Sequence, residues 1–146
     1  MAFRFNFFNP LFPQVDTTAG TKKGMFDKNK IREDVFNQEN LELFKTYFEH
    51  IKFNEKLNLN TCSAYKYDIY AWFDYILMYQ GNKHLRYIEK DDIIEYLRIA
   101  YAEDGSMLRR TKSSILRFLK YLYKTNAIKD NYIIKQLSDT KQIEKE

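Results

Sequence analysis

Apolar residues recur every three or four positions in four long stretches of this chain, and strand-type alternation is not sustained anywhere. Leu41, Phe44, Phe48 and Ile51 predict a first helix over 38–53, with Glu42, Lys45, Glu49 and Lys52 on its wet side. Tyr65, Ile69, Trp72, Phe73 and Ile76 form the core face of a second helix. Asn58 or Asn60 caps its start, it ends near Gly81, and Ser63, Lys66, Tyr67 and Tyr70 point away from the core. A shorter third helix opens at Asp91 or a neighbour and turns Ile93, Leu97, Ala100 and Tyr101 inward. In the fourth, Met107, Leu108, Ile115, Phe118, Leu119 and Leu122 recur after a Ser106 cap, and Thr125-Asn126 marks the end. Residues 132–137 read as a last short helix. The expectation is an all-α, compact bundle of four to five helices over 38–137, between an irregular N-terminal extension (1–37) and a tail (138–146).

Composition supports a single packed domain. Of 146 residues, 45% are hydrophobic and 17% aromatic, enough for a core, while four Gly and two Pro suit short connections. The opening stretch holds Phe3, Phe5, Phe7, Phe8 and Phe12 around Pro10 and Pro13. It is expected to dock on the bundle or on a partner, because contiguous exposed apolar patches are uncommon. No run approaches a membrane span and the start does not read as a signal sequence. The single Cys62 excludes an internal disulfide and fits a reducing, cytoplasmic setting as a buried small side chain. Two histidines and one cysteine, widely separated, make no metal cluster, so no cofactor is expected. The acids Asp91, Asp92 and Glu95 resemble an acid–base pair, but the start of a helix accounts for them without chemistry.

Charge is more informative in its placement than in its net value of +4. From residue 38 to 103 acids outnumber bases, whereas 105–129 contains seven Lys or Arg and no acid. Arg110, Ser113, Arg117, Lys120 and Lys124 step by three and four, so they line one strip opposite Thr111, Ser114, Ile115 and Phe118. A cationic strip on one face is either a solvated surface or a seat for phosphates.

The order of these pieces resembles the N-terminal core-binding, SAM-like domain of the phage-integrase family of tyrosine recombinases. Asn58, Thr61, Tyr65, Ile69 and Phe73 stand where that family opens its second helix with a Ser-x-x-Thr turn, a Tyr and a later Phe. Arg110, Ser113, Ser114, Ile115, Arg117, Phe118 and Leu122 match the fourth-helix pattern, and the likeness extends over 38–137. Two positions depart from it: Asn58 replaces the usual Ser, and Asn131 is followed by Tyr132 instead of Pro.

The resemblance implies half of a C-shaped clamp on double-stranded DNA, with the second and fourth helices addressing the major groove. Carried over by position, the DNA-facing residues are Thr61, Ser63 and Lys66 on the second helix. On the fourth they are Arg109, Arg110, Lys112, Ser113, Arg117, Lys120 and Lys124. Most such contacts go to phosphates, and five of them would give a logarithmic salt slope of about −4 to −5. The family's catalytic arginine–lysine–histidine–arginine set and tyrosine nucleophile have no counterpart here, so DNA binding in a recombination or integration context is expected without cutting or joining. A rival expectation is a regulatory module of a mobile element that pairs with a full-length recombinase, a related repressor or a second copy of itself.

Overall fold

The computed structural model describes residues 33–139. The aromatic opening stretch and most of the tail lie outside the described residues.

Each helix starts where a polar side chain satisfies its first N–H groups. Asn37 Oδ1 accepts from the N–H groups of Glu39 and Asn40, both at 3.0 Å, and opens α1 (Gln38–Glu49). The chain leaves α1 through a wider π turn, His50–Asn54. Asn58 accepts from the Asn60 N–H at 2.7 Å and opens α2 (Leu59–Tyr79). A capping box between Glu89 and Asp92 opens α3 (Lys90–Tyr101). At α4 (Gly105–Lys124) the cap is Asp104, not Ser106: its Oδ1 accepts from the Met107 N–H at 3.1 Å. A carboxylate one residue upstream of Gly105 reaches that N–H and also complements the helix dipole. The far end of α4 closes as a Schellman motif, with Asn126 at φ 65° and the Ala127 N–H donating to Leu122 O at 2.8 Å. Finally α5 (Tyr132–Asp139) docks through Ile134 and Leu137. The described residues therefore form an all-α bundle of five helices without a strand.

The helices meet at three rings, Phe44 of α1, Phe73 of α2 and Phe118 of α4, with centroids 5.7, 6.3 and 6.4 Å apart. Offset and edge-on contacts at these distances each contribute about 0.5–1.5 kcal/mol beyond the area they bury. α2 is enclosed on more sides than a single apolar stripe implies: Asp68 through Phe73 are all buried. Tyr70, expected to face away, is 2% exposed. Its ring meets Phe36 and Phe44 edge-on, and its hydroxyl donates to Glu33 Oε2 at 2.7 Å. The short 3-10 turn Glu33–Val35 folds back over α2 and brings Phe36 into the core, which explains the difference. In α3 the inner positions are Ile93, Tyr96 and Leu97, whereas Ala100 and Tyr101 are only half-buried.

Polar staples fix the α2–α3 connection. Buried Asn40 donates from Nδ2 to Lys83 O at 3.0 Å and accepts from the Leu85 N–H at 2.9 Å. α4 packs against α1, α2, α3 and α5, so its outer face is held rigidly on the bundle.

Candidate nucleic-acid interface

The apolar face of α4 settles which of its cations can reach solvent. Leu108, Ile115, Phe118, Leu119 and Leu122 are buried, and the opposite surface shows Arg109, Arg110, Ser113, Lys120 and Lys124 exposed with Arg117 half-exposed. Lys112 is not on that surface: it shares the inward register of Leu108, Ile115 and Leu119 and is 7% exposed. On α2, Ser63 is exposed, while Thr61 and Lys66 are half-buried. The Lys66 ammonium lies 5.6 Å from the Phe48 ring centroid and 5.4 Å from that of Tyr70. That places it over aromatic faces beside the α1 exit.

Two arginines of the strip already have carboxylate partners, and the two pairs differ in kind. Arg110 donates from Nε to Asp68 Oδ2 at 3.3 Å and from Nη2 to Asp68 Oδ1. Ser114 Oγ donates to the same Oδ2 at 2.6 Å. Asp68 is fully buried, so these three donors replace its lost water. Its hydrogen bond to the Asp68 carboxylate in turn holds the Arg110 guanidinium above its ordinary pKa. Arg117 instead pairs with Glu55, a residue of the turn before α2, at 2.5 Å between Nη2 and Oε1. Both side chains of that pair are about 40% open to solvent, at 41% and 38%. The Arg117 guanidinium also stands 5.4 Å from the Tyr65 ring centroid. Arg109, Lys120 and Lys124 have no carboxylate partner among the described residues.

Other chemistry is absorbed by structure. Asp92 pairs with Lys83 at 3.0 Å and accepts from the Glu89 N–H at 2.9 Å, while Glu95 accepts from the Tyr75 hydroxyl. Cys62 is a buried free thiol. Among the described residues no three His, Cys, Asp or Glu side chains gather as metal ligands, and no helix is long and apolar enough to cross a membrane. A cleft of about 1000 Å³ between α1, α3, α4 and α5 carries Arg86, Lys90 and Lys129 beside Glu89, Asp91 and Asp130, a mixed lining of both signs.

Sequence reasoning missed Asp68 and Glu55. Asp68 left a trace, an acid set among the apolar positions of α2, which calls for a buried partner. Glu55 left none, because its partner lies 62 residues away in the chain.

Residues 44–126 match the family model of the phage integrase N-terminal SAM-like domain, more than half of the chain. No curated protein and no solved structure matches the chain significantly. The matched span runs from Phe44 in the central ring cluster to Asn126 at the Schellman end of α4, and so contains both arginine pairs and the whole cationic strip. The chain thus belongs to the family of phage-integrase N-terminal SAM-like domains.

Proposed function

We propose that this chain binds double-stranded DNA through the outer face of α4, as a recombination-type binding module without catalysis of its own. The observation that carries the reading is the placement of Arg109, Lys120 and Lys124: three exposed cations without a carboxylate partner among the described residues, on one helix fixed against four others. Arg110 and Ser113 extend the same surface, and Ser63 and Lys66 of α2 are the flanking contacts of this reading. Thr61, half-buried at the start of α2, is a minor one. Lys112, turned inward, is left out of it. Membership of the integrase family supports a DNA partner and, through it, a recombination context.

Two of the strip's arginines are paired within the protein, so three or four cations meet phosphates. Each contributes about −0.9 to the logarithmic salt slope, and the expected slope is about −3, shallower than five contacts would give. Fluorescence anisotropy on a random duplex across a salt series measures it. Micromolar or weaker binding with that slope supports the reading, whereas a slope near zero contradicts it. Salt-insensitive association with a full-length recombinase, with no DNA mobility shift, would support a regulatory pairing module instead.

A further inference from the structure

Glu55 presents its carboxylate to two nitrogen groups at the surface. Its backbone N–H donates to His50 O at 3.0 Å and closes the π turn, which fixes the root of the side chain. Its carboxylate then lies between Arg117 Nη2 at 2.5 Å and His50 Nε2 at 3.0 Å. The Arg117 guanidinium is backed by the Tyr65 ring, and the His50 ring packs 5.0 Å from that of Tyr121. Two nitrogen donors from different elements, each steadied by an aromatic ring, thus converge on two oxygens of one anionic group at the surface.

We propose that this is a seat for a backbone phosphate of DNA, and that Glu55 occupies it as an internal stand-in. The inference rests on the DNA-binding reading above and adds a residue that holds binding back. The guanidinium fork accepts carboxylate and phosphate with the same geometry. An ion pair this exposed is weak, so a phosphate can displace it. Arg110 offers no such exchange, because displacing Asp68 would strand a fully buried charge. Arg117 lies on the strip, one turn from Lys120 on one side and from Ser113 on the other. With Glu55 in place the strip is interrupted by a negative charge; with Glu55 displaced, it runs unbroken from Arg117 to Lys124.

Anisotropy titrations of duplex DNA with the wild-type protein, Glu55→Gln, Arg117→Gln and the double variant test this. Gln keeps the length of Glu but removes its charge and one of its two acceptor oxygens. Glu55→Gln is expected to tighten binding about two- to five-fold at low salt, as expected for a single surface charge pair. It should also steepen the salt slope by about one. The gain should vanish when Arg117 is Gln as well, because the two residues act through one contact. Binding by Glu55→Gln equal to or weaker than wild type overturns the proposal. So does an equal gain in the Arg117→Gln background, which would mark Glu55 as a source of general repulsion. In both cases the wild-type protein still binds, and the DNA reading stands. Absence of binding by every variant at the lowest salt overturns both.

Discussion

Removing Arg110 strands a fully buried carboxylate, which makes this residue a structural clamp before it is anything else. Arg110→Ala should lower stability by about 3 kcal/mol in urea unfolding, the lower end for breaking a buried pair, because Ser114 still reaches Asp68. A loss under 1 kcal/mol would show that Asp68 finds other partners. The same residue could not serve in a charge-reversal test of DNA binding, since a glutamate there would face Asp68. Asp74 makes the opposite case. Burial pushes its carboxyl up from 3.8 to about 6. Between those values the folded protein binds more protons than the unfolded chain, so stability falls as pH rises through the window and the penalty is complete above about pH 6. The full rise corresponds to about 3 kcal/mol, and partial exposure reduces it to about 1–2 kcal/mol. Asp74→Asn should therefore stabilise the protein by that amount at pH 7 and by almost nothing at pH 4. A gain that does not change with pH would place the effect elsewhere.

At the scale of elements, periodicity located the four longer helices because each buries a face broad enough to repeat several times, while α5 was read from the short run 132–137. The same pattern read the outer strip of α4 correctly at Arg110, Ser113, Arg117, Lys120 and Lys124, which all reach solvent. It failed where tertiary structure intervenes. Tyr70 is buried by a turn whose fold the sequence does not announce, and Lys112 lies on the inward register despite its charge. The Arg117–Glu55 pair depends on how α1 leads into α2, a geometry that has no local signature. Helix ends depend on single side chains, and the choice between Ser106 and Asp104 as the cap of α4 required the backbone. Asp104→Ala should cost about 1 kcal/mol, whereas Ser106→Ala should stay within about 0.5 kcal/mol. The reverse order in thermal unfolding would restore Ser106 as the cap.

Over the whole molecule, the core and the cationic strip belong to one helix. Phe118 anchors α4 against α1 and α2 and Leu122 is fully buried, and that burial fixes the direction in which Arg109, Lys120 and Lys124 project. Family membership and charge placement were both legible in the sequence, but which cations are spent on internal carboxylates was not. That distinction designates the residues to change. The most direct measurement is DNA binding by the triple variant Arg109→Glu, Lys120→Glu, Lys124→Glu, with circular dichroism and the thermal midpoint recorded alongside. Exposed side chains without carboxylate partners can be reversed with little effect on the fold, about 0.5 kcal/mol each. The expected result is an unchanged helical spectrum, a midpoint within a few degrees of wild type, and loss of duplex binding at every salt concentration. Duplex binding retained at wild-type strength by the folded triple variant would contradict it.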